Sequence, residues 1–297
     1  MTTKKKAAKS SKSTGKSKPG AMRSTRAAMS VATNAHGTVK ERVAALAEVP
    51  LAVCESDKDL QAVLNVVRNK EEAVEVRLAA MDTLATAAFS VIAFESCRKD
   101  YIATLREVAV DPDPQIRESA LGLLAGLKDG FAQKKLLDGL KNPDKALVPP
   151  EKALQLLSYD VHAESYAVAR DIVSNPPSTD ARREALRLLA ADATSAPLFE
   201  KLLRDKDELR EVRQISASAL HALKPEKLQE HAREMLLDTS EYEDIQATSL
   251  TALTQFGDDE AVGKDKVLLN SVDRLSNKAK SARYKKSARQ FVSKYAK

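Results

Sequence analysis

Tryptophan is absent from this chain of 297 residues, and six Phe and six Tyr make up its 4% aromatic content. So thin a supply argues against a large preformed aromatic pocket. Cysteine is nearly absent too. Cys54 and Cys97 stand 43 positions apart with no Cys-x-x-Cys partner, which reads as two small apolar helix residues in an intracellular, cytoplasmic protein rather than a disulfide framework or a thiolate metal site. No hydrophobic run approaches the roughly 20 residues that cross a bilayer. The nearest candidate, residues 84–94, lies between Asp82 and Glu95 and reads as a buried helix. The amino terminus carries lysines with no apolar stretch behind them, so it does not read as a secretory signal. Of the four histidines, His36, His162, His221 and His231, no two have the four-residue spacing of a helical metal site. The expectation is no metal and no cofactor.

Acidic residues are missing from both ends. Residues 1–37 hold seven Lys, two Arg and no acid, and residues 274–297 hold nine basic residues and no acid. The chain has 48 Lys and Arg against 42 Asp and Glu, so residues 38–273 carry 30 basic against 42 acidic groups. The mild net charge of +6 therefore conceals an acidic body with two basic ends. The first block is too polar to bury anything and reads as a disordered tail over 1–37. Its lysines, Lys4, Lys5, Lys6, Lys9, Lys12, Lys16 and Lys18, form a candidate polyanion-binding arm. The Gly15-Lys16-Ser17 ending resembles part of a phosphate loop, but Ser10 stands where the first Gly belongs and no strand precedes it. The second block keeps helical spacing in Tyr284, Ala288, Phe291, Val292 and Tyr295. It reads as a basic capping helix, with Lys285, Lys286 and Arg289 outward as further polyanion candidates.

What the chain does have is a repeat. A phrase with a small residue at its fifth position and Leu at its ninth starts at Val76, Ile116, Pro149, Ala181, Val212 and Ile245, so successive starts fall 31 to 40 residues apart. Steps of four and eight residues share one side of a helix. A second apolar stretch precedes each phrase, for example Leu60 to Val67 and Leu228 to Leu237. Turn formers separate the two, as in Asp111-Pro112-Asp113-Pro114 and Asn175-Pro176-Pro177. Ser240 and Glu243 have capping-box spacing. A helix–turn–helix unit with this period predicts an all-α solenoid.

The run Asp111-Pro112-Asp113-Pro114-Gln115-Ile116-Arg117…Ala120 resembles the HEAT repeat in its short, bacterial-style form, and Asp207…Val212-Arg213 is a weaker copy. The resemblance covers residues 38–297, with Val39-Lys40…Val43…Leu46 as a degenerate first unit. It implies a right-handed armadillo-type α-solenoid of about six to eight stacked hairpins. In such stacks the second helices line the concave side. That makes Arg77, Arg117, Arg182, Arg213 and Gln246 a recurring column, readable as a structural ladder between repeats or as a concave binding face extended by Arg183, Arg187 and Gln214. No His-Glu dipeptide of the HEAT-built hydroxylases occurs. Acidic groups such as Asp258-Asp259-Glu260 and Glu241…Glu243-Asp244 read as helix-start residues rather than catalysts. The leading expectation is a non-catalytic scaffold that binds a protein partner. A nucleic-acid-binding protein using the basic ends is the alternative. A HEAT-like lyase or chaperone-lyase subunit, or a DNA repair glycosylase, rests on fold analogy alone.

Overall fold

Small residues at the fifth position of each phrase let helices approach closely, and the chain is helical throughout its described residues. The computed structural model of the protein describes residues 19–295, with side chains from residue 25 onward. Packing divides it into two units, the chain passing from the first to the second between Leu124 and Ala125. The first holds α1 (Pro19–Ala32), α2 (Val39–Glu48), α3 (Asp57–Arg68), α4 (Val74–Ala87), the single turn α5 (Val91–Phe94) and α6 (Arg98–Val108). Helix α7 (Pro114–Gly126) runs across the boundary. The second unit continues with α8 (Gly130–Lys141), α9 (Pro150–Leu157), α10 (Ala163–Ser174), α11 (Thr179–Leu189), α12 (Ala196–Arg204) and α13 (Arg210–Leu223). It closes with α14 (Pro225–Leu237), α15 (Glu243–Phe256), the short α16 (Asp259–Lys264), α17 (Lys266–Lys278) and α18 (Ala282–Tyr295).

Paired helices pack on each other: α1 on α2 and α3 on α4 in the first unit, and α8 on α9, α10 on α11, α12 on α13, α14 on α15 and α17 on α18 in the second. The second helices of neighbouring hairpins also touch, α2 with α4 in one unit and α9, α11, α13, α15 and α18 in succession in the other. This two-layer order is that of a repeat stack, in which each hairpin buries its apolar stripe on its neighbours. The repeated phrase supplies the core: Val76, Ala80 and Leu84 in α4, Ala181, Ala185 and Leu189 in α11, and Ile245 and Leu253 in α15 are all buried. At the carboxy-terminal end Tyr284, Ala288, Phe291 and Tyr295 of α18 pack on Leu250, Leu253, Leu268 and Val272. The Tyr295 hydroxyl donates to the Leu253 carbonyl at 2.6 Å. The stretch from residue 274 thus holds the end of α17 and the whole of α18, whose apolar face is buried on the second unit.

Several expectations need correction. The tail expected to be disordered through residue 37 contains α1, which buries Ala28, Met29 and Ala32 and packs on α2. Its apolar residues recur with helical spacing, and charge counting overlooked that pattern. Lys4, Lys5, Lys6, Lys9, Lys12, Lys16 and Lys18 lie outside the described residues. Cys54 and Cys97 form a disulfide, with Cα atoms 6.3 Å apart. Cys54 lies in the turn before α3 and Cys97 immediately before α6, and α3 packs on α6, so the stack brings together residues far apart in sequence. At the start of α15, the Ser240 hydroxyl binds Asp238 and no side chain caps the helix. Glu243 instead accepts the Lys280 and Ser281 amides at 2.9 and 2.6 Å, tying α15 to the start of α18. No helix among the described residues is long and apolar enough to cross a membrane.

Candidate functional site

In the phrases that start at Val76 and Val212, the arginine after the apolar residue faces the end of the helix before it. A helix leaves its last carbonyls without intrahelical partners, and a cation is favourable there. Arg77 Nε donates to the Val67 carbonyl at 2.9 Å, and Arg213 Nε to the Leu203 carbonyl at the same distance. Each guanidinium then grips an acid from the next hairpin: Arg77 reaches both oxygens of Asp111 at 3.3 and 2.6 Å, and Arg213 both oxygens of Glu241 at 2.9 and 2.6 Å. These side chains are 2% exposed. Arg77 and Arg213 are therefore structural ladder rungs and drop out of the candidate binding face. Gln246, 4% exposed, is the same rung without charge, donating to the Met235 and Asp238 carbonyls. Arg117 donates to the carbonyls of Asp111 and Pro112 at 2.8 and 2.9 Å.

Burial alone would push the Asp111 carboxyl up, but the hydrogen bonds and charge of Arg77 with the Asp113 amide hold it below the usual carboxylate range. Glu241 repeats this balance: burial raises it, and Arg213 and Lys206 lower it further. Lys206 Nζ bridges Glu241 and Asp238 at 2.7 Å each. Asp238 is driven well below its ordinary value by Lys206 and then by Ser240.

One rung went unseen in the sequence. Arg42 is 3% exposed, donates through Nε to the Ala32 carbonyl at 3.2 Å and pairs with Glu72 at 2.6 Å. Starting the first phrase at Val39-Lys40 placed its register wrongly. The available signal was a small residue three positions after the arginine, as in Arg42…Ala45, Arg77…Ala80, Arg182…Ala185 and Arg213…Ser216.

The second-helix face of the carboxy-terminal unit remains as the candidate surface. On α11, Arg182 makes a bidentate pair with Glu208 at 2.8 and 2.7 Å, and its Nε is buried with no partner among the described residues. Beside it, Arg183 and Arg187 both reach Glu211 of α13, with side chains 31% and 52% exposed. Arg210 of α13 pairs with Asp244 of α15 at 3.0 Å and lies 4.9 Å from the Tyr242 ring centre. Gln214 contacts Thr248 at 3.4 Å, and Arg283 of α18 donates to the same hydroxyl at 3.2 Å. Thr251 and Ser287 join α15 to α18 at 3.3 Å. His221 packs against Phe256 with the rings tilted and their centres 5.8 Å apart, and its Nδ1 has no partner among the described residues. Desolvation, with Arg283 adding to it, holds His221 below the ordinary histidine range. Four helices thus present a row of arginine, amide and hydroxyl groups cross-linked from helix to helix. On α18, Lys286 and Arg289 are exposed and Lys285 is half-buried. Lys294 folds back on the Thr254 carbonyl and Asp259 at 2.9 and 2.8 Å.

No protein-family model matches the chain, and no curated protein does. Solved structures do resemble it. The X-ray structure of YibA from Escherichia coli aligns with a TM-score of 0.52 at 14% identity, covering 97% of this chain and 99% of that one. The CpcE and CpcF complex of phycocyanin lyase from Nostoc sp. PCC7120 aligns at 0.30 and 16% identity over 97% and 99%. Human deoxyhypusine hydroxylase aligns at 0.36 and 13% over 83% and 99%. Of these three, the YibA alignment reaches the level of a shared fold, and at such identity fold is all it conveys. The chain has the all-helical fold of HEAT-like solenoids.

Proposed function

We propose that this protein is a non-catalytic scaffold that binds a protein partner across the second-helix face of its carboxy-terminal unit. The observation that carries the reading is the guanidinium row of half-buried Arg183 and exposed Arg187 and Arg210, each held by carboxylates that are themselves reachable by solvent. Exposed ion pairs of this kind are weak and exchange readily. A partner segment bearing carboxylates can take over the arginines pair by pair, while the half-buried Gln214 and Thr251 offer an amide and a hydroxyl to its backbone. The buried rungs beneath keep the row rigid, which limits the entropy lost on binding.

The test is affinity capture with the full chain, comparing wild type with Arg183→Glu plus Arg187→Glu, and circular dichroism to verify folding. A partner retained by wild type and lost by the folded variant supports the reading. A partner retained equally by both moves the binding surface elsewhere.

The exposed Lys286 and Arg289 on α18 support a second reading, nucleic-acid binding through the basic ends. Fluorescence anisotropy of labelled single- and double-stranded nucleic acid across a salt series decides it, because phosphate contacts give a steep loss of affinity with salt. No binding near physiological salt would dismiss it.

A further inference from the structure

The first-helix layer of the carboxy-terminal unit carries a second cluster, on the layer opposite the arginine row. Ala196, Phe199, Leu202 and Leu203 fix the rotation of α12 by burial, and Leu228, Ala232, Met235 and Leu236 fix that of α14. This sets Glu200 of α12 beside Glu230 and His231 of α14. One ring nitrogen and one oxygen from each carboxylate all lie within 4.8 Å of one another. His231 Nε2 is 2.7 Å from Glu200 Oε1, and these side chains are 14% and 27% exposed. Lys227, one turn earlier on α14, places its ammonium 2.9 and 3.2 Å from the two oxygens of Glu230.

We propose that Glu200, Glu230 and His231 form a binding site for a borderline divalent cation, with Zn²⁺ as its best match. Two carboxylates and one imidazole are a mixed N and O donor set, which suits zinc and its transition-metal neighbours; Mg²⁺ and Ca²⁺ favour all-oxygen sets. Bonds of about 2.0–2.2 Å at tetrahedral angles put ligand atoms roughly 3.3 Å apart. The exposed Glu230 side chain closes the difference by a change of rotamer. Lys227 holds the place of the cation: its pair with Glu230 is exposed on both sides, at 44% and 53%, and gives way to a divalent charge. Three protein ligands leave the remaining positions to water, so the site is open rather than sealed. Sequence spacing hid it because the ligands come from two hairpins and not from one helix turn.

The test is titration of metal-free full-length protein with Zn²⁺ against a chromogenic chelator, and with Co²⁺ followed by its visible absorption. One equivalent of each metal should bind, with Co²⁺ bands that Zn²⁺ abolishes. His231→Ala and Glu200→Gln should each weaken binding by about tenfold or more. Lys227→Ala should tighten it, a result that a purely structural ion pair would not produce. His162→Ala removes an exposed histidine that also sits beside a carboxylate, 3.2 Å from Asp160, and should change nothing. Circular dichroism of each variant confirms its fold. Absence of stoichiometric binding, or binding that His231→Ala and Glu200→Gln leave intact, would overturn the assignment. The arginine row takes no part in this experiment, so failure here leaves the scaffold reading standing.

Discussion

Arg213 and Glu241 are each kept from water by the other's hairpin, and the cost of losing one follows from what is left behind. Arg213→Ala takes two guanidinium bonds from the buried Glu241 and leaves it Lys206 as a charged partner, so the protein should lose about 3 kcal/mol in urea denaturation. Replacing both partners with apolar residues of similar size should recover most of that loss. Arg183→Ala, by contrast, breaks a surface pair and should leave the unfolding midpoint where it is. Asp111 and Glu241 both ionise more readily folded than unfolded. The unfolded chain therefore takes up more protons as the medium becomes acid. Their stabilisation is complete at neutral pH and is lost as pH drops below about 4, through the folded values. Unfolding midpoints measured against pH should show this fall, and Glu241→Gln should flatten it. The Tyr284 hydroxyl is buried with no partner among the described residues, and burial pushes it up to about 12. Tyr284→Phe should accordingly stabilise the protein by about 1 kcal/mol, whereas Tyr295→Phe, which loses the bond to Leu253, should destabilise it by about as much.

Helices in this chain depend on their neighbours more than on their own propensity. Phe291 is fully buried in α18 against α15 and α17. Phe291→Ala should cost about 3–5 kcal/mol and expose the end of the carboxy-terminal core, which hydrogen exchange on α15 and α17 would report. Gly139 of α8 lets the following turn approach closely, because a Cβ there would lie 2.9 Å from the Ala146 Cα. Gly139→Ala should destabilise this hairpin by about 1–3 kcal/mol, despite the better helix propensity of alanine. In the amino-terminal unit the disulfide closes a loop of 43 residues across α3, α4 and α5. Chain-entropy arguments give about 4 kcal/mol for such a closure. Cys54→Ser should lower protection in α3 and α6 and leave the second unit, which contains no cysteine, unchanged.

Charge separates into layers across the molecule. The buried rungs are insensitive to salt, while the exposed row on α11 and α13 is screened by it. Partner binding through that row should therefore weaken as ionic strength rises, while the unfolding midpoint barely moves. Calorimetric titration with the captured partner, set beside thermal melts in the same buffers, separates the two effects.

Local pattern was enough to reveal the all-helical repeat stack, because steps of four and eight residues and the intervening turn residues are properties of neighbours in the chain. Leu84, Leu189 and Leu253 could be placed in a core from spacing alone. Whether Arg213 is a buried rung while Arg182 stays partly exposed could not, since both directly follow the start of a phrase and differ in what the neighbouring hairpins put against them. The joining of Cys54 to Cys97, the pairing of Arg42 with Glu72, and the meeting of Glu200 with His231 each link separate hairpins. Sequence periodicity carries the shape of one unit, but such contacts depend on the offset between units, and packing in three dimensions alone decides that offset.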